Sequence, residues 1–282
     1  MADMKMEAEI VFEPHVPRAL RRALEYAGDD GFVASLPQLL HARTHASYDN
    51  IIWNTWFTSN SEENVITTPQ GNHAIVFVHG GGIFSKPERF EQVYRASVDR
   101  SSPDGFTGQY AAKISQKEAL DVLNGRLSDG TEFPVYLYEE FRQGISDLPM
   151  RYGVVLDLEL ARKTTRGYDT FDALRDDPNQ IVRVGGVEAN NAYLDKYQAR
   201  HNTKVTGTWH PFNRIDLAQP QTRITFLAGN KGGVYSEGDD PEEWGYDCEY
   251  AIGGDACVHN MARYVAVAPR NPSTSLRNID FG

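Results

Sequence analysis

The sequence lacks any long hydrophobic run. Its longest uninterrupted apolar stretch, Ala74 to Val78, is far shorter than the roughly 20 residues that a membrane helix needs. The first residues, Met1 to Glu9, also lack the apolar core of a signal peptide. These absences predict a soluble protein without a membrane partner, either cytoplasmic or excised from a longer chain.

Basic residues are scarce relative to acidic ones. Lys and Arg total 28 against 39 Asp and Glu, which gives a net charge of -11. A nucleic-acid phosphate backbone would be repelled unless the cations clustered in one patch, and the sequence contains no such patch. We therefore expect no nucleic-acid partner.

Cysteine is nearly absent. The two cysteines, Cys248 and Cys257, lie nine positions apart, a spacing that suits neither a zinc pair nor a disulfide framework. The sequence therefore predicts no metal site. A single disulfide between the two cysteines remains an open alternative.

The composition is that of a globular protein, with 40% hydrophobic and 11% aromatic residues among 282. Helical spacing of apolar residues predicts helices over Val16 to Ala27 and Phe32 to Ala42, and the polar run Thr58 to Glu63 then ends this region. We predict a helical N-terminal extension over residues 1–70 and an α+β catalytic domain over residues 71–282, packed as one compact unit.

Apolar runs in the second part of the chain predict a sheet. Helices are predicted over Lys86 to Asp99 and Gln116 to Leu127. The predicted strands are Ala74–Val78, Val135–Tyr138, Tyr152–Leu160, Ile181–Val184, Arg223–Leu227 and Tyr264–Ala268. Strands and helices that alternate without an internal repeat indicate an α+β fold.

The turn His79-Gly80-Gly81-Gly82 directly follows the first of these strands. It matches the oxyanion-hole turn of α/β-hydrolase esterases and lipases. Those enzymes also need a serine nucleophile between glycines, directly after a strand. The nearest string here, around Ser236, lies in a polar loop, so an esterase is the weaker alternative.

The same histidine also begins a second pattern. Val78-His79-Gly80 is followed 31 positions later by Tyr110, and the string Asp247-Cys248-Glu249 precedes Tyr250-Ala251-Ile252-Gly253-Gly254. In their order, and in the gap from His79 to Tyr110, these segments resemble the His, Tyr and Glu motifs of diphtheria-type ADP-ribosyltransferases and poly(ADP-ribose) polymerases. The 139 positions from Tyr110 to Glu249 are longer than in that family. The form of the last segment, in which three residues separate Glu249 from Gly253-Gly254, is similar to that of the cholera-toxin branch.

This resemblance implies a split, strongly bent mixed sheet with a helical N-terminal layer, and it implies roles for individual residues. Glu249 would stabilise the oxocarbenium-like transition state as nicotinamide leaves NAD+. His79 and Gly80 would bind the ribose, Tyr110 would stack on the nicotinamide, and Asp247 would position the acceptor.

The arginine branch of the family offers rival cofactor-binding residues, Arg95 and Ser115. In either branch the expected activity is transfer of ADP-ribose from NAD+ to a macromolecule, with a protein as the expected acceptor, or hydrolysis of NAD+ if water accepts. Such an enzyme would be a toxin or an effector delivered into a target cytosol.

A different class of function stays open beside the enzyme. The chain would then be a non-catalytic binding or inhibitor domain whose acidic surface docks a basic partner. His79 and Glu249 would be structural in that case. Convergence of His79, Tyr110 and Glu249 on one cleft would favour the enzyme.

Overall fold

The computed structural model describes residues 5–98, 112–163, 167–201, 205–209, 217–227, 250–253 and 262–270. Within these ranges the chain is α+β, which confirms the predicted class. No helix of the described ranges is long and apolar enough to cross a bilayer.

Two sheets organise the helices. The strands are β1 Lys5–Glu13, β2 Phe32–Val33, β3 Phe57–Thr67, β4 His73–His79, β5 Ala112–Lys113, β6 Val135–Leu137, β7 Tyr152–Asp157, β8 Gly167–Thr170, β9 Val205–Trp209, β10 Gln221–Leu227, β11 Tyr250–Gly253 and β12 Ala262–Arg270. The helices are α1 Val16–Ala27, α2 Leu36–His45, α3 Ile51–Asn54, α4 Pro87–Val98, α5 Gln116–Leu123, α6 Tyr138–Phe141, α7 Leu158–Lys163, α8 Phe171–Arg175, α9 Pro178–Val184 and α10 Val187–His201.

The smaller sheet joins the first described strand to the last. Its order is β1-β12-β2, and β1 runs antiparallel to β12 from Lys5 opposite Arg270 to Glu13 opposite Ala262. Helix α1 packs on it through an apolar face that includes Val16, Leu20 and Ala23. The residues 5–13 were not recognised as a strand in the sequence.

The larger sheet has the order β6-β7-β4-β3-β10-β11-β9-β8, and β5 pairs with β10 beside this path. Strand β4 is apolar and almost entirely buried, as expected for a strand covered on both faces. Its neighbour β3 is as deeply buried but carries serines, glutamates and an asparagine. The middle of the large sheet is therefore half apolar and half polar.

The first 70 residues are not purely helical. They contain α1, α2 and α3, but also β1, β2 and β3, and β3 lies in the middle of the large sheet. The predicted polar boundary at Thr58 to Glu63 is thus part of a central strand. The division of the chain near residue 70 remains a prediction.

Helix α9 replaces a predicted strand. Asp177 caps its first turn by accepting from the backbone N–H of Asn179, and Gly185, with a φ of 101°, ends it. All seven of its residues are buried. Since it shows no polar face, its run Ile181 to Val184 has the pattern of a buried strand, and periodicity cannot separate the two.

Candidate functional site

The glycine turn after β4 encloses a carboxylate of the protein itself. The backbone N–H of Ile83 donates to Oε2 of Glu62 at 2.8 Å, and that of Phe84 donates to Oε1 at 2.6 Å. A Cβ on Gly82 would lie 2.3 Å from Oε2 of Glu62, so only glycine fits there. The donors that an esterase would aim at its substrate are therefore already bound to Glu62.

Glu62 is fully enclosed, and this changes its acidity. Burial raises the pKa of Glu62 to about 7, against the opposing effect of its backbone N–H donors and of Arg151. Tyr264 and Glu62 line one small pocket. The hydroxyl of Tyr264 has no hydrogen-bond partner in the described part of the chain. Burial, together with the charge of Glu62, raises the pKa of that phenol above its usual range.

His79 lies at the end of β4 and is 1% exposed. Its Nδ1 is 2.9 Å from the Ser61 hydroxyl, and its Nε2 is 3.1 Å from the carbonyl oxygen of Val182 in α9. Burial lowers the pKa of His79 to about 3, which keeps the ring neutral. Both ring nitrogens thus contact groups of the protein, and the ring connects β3, β4 and α9.

Glu63, the residue after Glu62 in β3, forms a buried ion triad with Arg183 and Arg223. Nε of Arg183 donates to Oε1 of Glu63 at 2.6 Å, and Nε of Arg223 donates to Oε2 at 2.7 Å. All three side chains are fully buried. Because the arginines come from α9 and β10, the triad fixes this helix against the large sheet.

The other residues singled out in the sequence fall in separate places. Ser115 caps α5 by accepting from the backbone N–H of Glu118. Gly80 adopts a φ of 80°, and a Cβ there would lie 2.0 Å from the carbonyl oxygen of Met150. Arg95 lies within α4. No contact joins His79 to Ser115 among the described residues. The remaining candidates lie outside the described residues, namely Tyr110, Ser236, Asp247, Cys248, Glu249 and Cys257.

The most deeply embedded polar residues were missed in the sequence. Glu62, Glu63 and Ser61 belong to a run that reads as a polar loop, because no apolar alternation accompanies it. Arg183 and Arg223 each occupy one position inside an apolar or β-branched segment. The only signal in the sequence that could have indicated a buried ion pair was the presence of a single charged residue within each of these apolar or β-branched segments.

Comparison with known proteins identifies the fold. No protein-family model matches the chain, and no curated protein matches it. The chain is similar to a solved structure described as showing how the C-type lectin fold accommodates massive sequence variation in Nanoarchaeota. The TM-score is 0.62 at 19% identity, over 93% of this chain and 98% of that one. This chain therefore has the C-type lectin fold.

This finding corrects the family resemblance drawn from the sequence. The ADP-ribosyltransferase fold, with its split and bent sheet, is wrong, and so are the NAD-cleaving activity, the assignment as an enzyme and the toxin interpretation. The His-Gly segment that carried the resemblance has another physical explanation. Its histidine joins Ser61 to α9, Gly80 makes room for the carbonyl oxygen of Met150, and Gly82 makes room for Glu62.

Proposed function

We propose that the chain is a non-catalytic binding domain that docks a basic, extended segment of a partner protein. The observation that carries this proposal is an acidic edge of the large sheet, at which β6 has a neighbouring strand on one side only in the described part of the chain. We define the acidic edge as Leu137, Glu139, Glu140, Asp157 and Glu159. The C-type lectin fold supports it, because a fold described as accommodating sequence variation suits a fixed frame with a recognition surface.

The acidic edge lies where two parallel strands end. β6 runs parallel to β7, with Leu137 opposite Val155, so α6 and α7 begin side by side at the same end of the sheet. Asp157 and Glu159 therefore lie at the same end of the sheet as Glu139 and Glu140. Arg142 and Arg162 pair with Glu139 and Glu159, whereas Glu140 has no cationic partner among the described residues.

Strand β6 supplies the docking edge itself. In the described part of the chain it has β7 on one side and no strand on the other. The backbone N–H of Gly153 donates to the carbonyl oxygen of Pro134 at 2.8 Å. Backbone groups alternate sides along a strand, so those of Val135 and Leu137 face away from β7. Leu137 is also 65% exposed, the most of any large apolar side chain among the described residues.

An edge of this kind recognises an added strand. Main-chain hydrogen bonds would give affinity, Leu137 would give an apolar contact, and the carboxylates would select lysine or arginine. The net charge of -11 would attract such a segment over a longer range. This combination favours a basic partner over an acidic one.

The test is fluorescence anisotropy with a labelled peptide of alternating lysine and valine, with a glutamate-valine peptide for comparison. Leu137→Pro removes the outward N–H and the exposed side chain, and the φ of -73° at this position already suits proline. We expect it to weaken binding of the lysine peptide at least about tenfold, since one hydrogen bond and one apolar contact are lost.

The matched pair of charge reversals is Glu140→Lys at the edge and Glu25→Lys on α1, which is also exposed. Only the first should reduce affinity, and the reduction should shrink in high salt. Equal binding of the lysine and glutamate peptides, or wild-type affinity in Leu137→Pro, would remove the acidic edge from the proposal.

A further inference from the structure

A cation enclosed by aromatic rings lies at one end of the small sheet. Arg263 in β12 stands opposite Phe12 in β1, and Trp56 directly precedes β3. Phe12 is 47% exposed, and Trp56 and Arg263 are partly exposed. We name these three residues the arginine-aromatic patch. It shares no residue with the acidic edge.

The guanidinium of this patch is held in one orientation. Its central carbon lies 5.1 Å from the ring centre of Phe12 and 4.7 Å from that of Trp56. The two rings meet edge to face, with centres 6.4 Å apart. One terminal nitrogen, NH1, donates to the hydroxyl of Thr55 and, at 3.3 Å, to the carbonyl oxygen of Trp56. Stacking and hydrogen bonds together fix the plane of the group.

The remaining edge of the guanidinium is open. Nε and NH2 of Arg263 donate to no group in the described part of the chain, and no described carboxylate pairs with this arginine. By contrast, other arginines of this acidic protein pair with neighbouring acids, as Arg89 does with Glu118 and Arg175 with Asp195. The Nε–NH2 edge is the geometry that binds a carboxylate through two parallel hydrogen bonds.

Partial burial strengthens the case for an anionic ligand. Burial lowers the pKa of the Arg263 guanidinium, because the aromatic rings keep water from a charge that no described carboxylate neutralises. A carboxylate would restore the missing interaction, in a setting less screened than open solvent. Arginine and tryptophan are also the side chains that most often dominate binding at protein interfaces.

We infer that the arginine-aromatic patch is a second recognition site, which takes a carboxylate on a protein segment whose neighbouring apolar side chain covers Phe12. One guanidinium between two aromatic rings suits a single carboxylate with an apolar neighbour, whereas a nucleic acid presents a run of phosphates that a chain of net charge -11 would repel. The inference is independent of the acidic edge, which attracts segments of the opposite charge.

The test uses a fluorescently labelled peptide of alternating glutamate and phenylalanine, with a glutamine-phenylalanine peptide as the neutral twin. We expect the glutamate peptide to bind and the glutamine peptide to bind at least about tenfold more weakly. Arg263→Lys keeps the charge but loses the planar fork, so it should weaken the glutamate peptide at least about tenfold. Arg18→Lys, at an exposed arginine of α1, should change nothing.

A second variant guards against misfolding. Phe12→Ser removes an exposed ring and should also weaken the glutamate peptide, while circular dichroism and the melting temperature stay near those of the wild type. Equal affinity for the two peptides would overturn the inference, as would wild-type affinity in a folded Arg263→Lys protein. Failure of the glutamate peptide to bind at millimolar concentration would overturn it as well.

Discussion

Glu63→Gln is expected to lower the free energy of unfolding by about 3–5 kcal/mol. The change keeps the size of the side chain but leaves the guanidinium groups of Arg183 and Arg223 fully buried without the carboxylate that neutralises them. The attraction that is lost acts in a poorly screened interior, and the cost of burying two cations remains. Urea denaturation followed by circular dichroism measures the effect.

The matched control is Asp195→Asn, which removes the carboxylate from an exposed pair with Arg175. Surface pairs contribute about 0–1 kcal/mol, so this variant should unfold close to the wild type. If the free energy of unfolding of Glu63→Gln also lies within about 1 kcal/mol of the wild-type value, the triad does not hold α9 against the large sheet.

Gly82→Ala is expected to cost at least about 2–3 kcal/mol of stability. The φ of Gly82 is -125°, outside the left-handed region that favours glycine, so the expected penalty comes from the clash of the new methyl group. The new methyl group would lie 2.3 Å from Oε2 and 2.7 Å from Cδ of Glu62. The carboxylate would have to move and lose charged hydrogen bonds from Ile83 and Phe84, each of which contributes about 1.5–3 kcal/mol. Thermal and urea unfolding report the loss.

A double-mutant cycle separates this clash from general damage to the turn. Once Glu62→Ala has removed the carboxylate, Gly82→Ala should cost much less than it does alone. Gly71→Ala, where the added Cβ meets nothing within 4 Å, should cost only the strain of its φ of 85°, about 1–2 kcal/mol. Additive losses in the cycle would show that Glu62 does not occupy the turn.

The elements that the sequence predicted well are those in which burial and pattern agree. Helix α1 shows one apolar face and ends at Gly28, at the predicted boundaries. Strand β4 is a short apolar run at the centre of a sheet, and β10 and β12 likewise contain the predicted segments. In these elements local composition and tertiary environment favour the same conformation.

The failures occur where the tertiary structure overrides the local pattern. Strand β3 is polar from Thr58 to Asn64, and this part is stable because Glu62, Glu63 and Ser61 each find partners on other elements. Those partners are up to 160 positions away, as with Arg223, so no local window contains them. The prediction of a strand in place of helix α9 was wrong for the opposite reason. Because α9 is buried on every side, its sequence does not show the alternation of apolar and polar faces that marks a helix.

The functional prediction failed because its motifs were short. A histidine followed by glycines at a strand end has several physical uses, and here it serves the interior through Ser61, Val182 and Glu62. The surface features that now carry the proposals, Leu137 and Arg263, give no signal in the sequence. Their meaning depends on a free strand edge and on an open guanidinium edge, and both arise only after folding.

The most direct test of the central claim, that this chain binds rather than cleaves, is a measurement of nicotinamide release from millimolar NAD+. If the chain is a binding domain, we expect the protein to release no more nicotinamide than the same solution without it, and Glu249→Gln to change nothing. Release well above that background, abolished by Glu249→Gln in a folded protein, would contradict it.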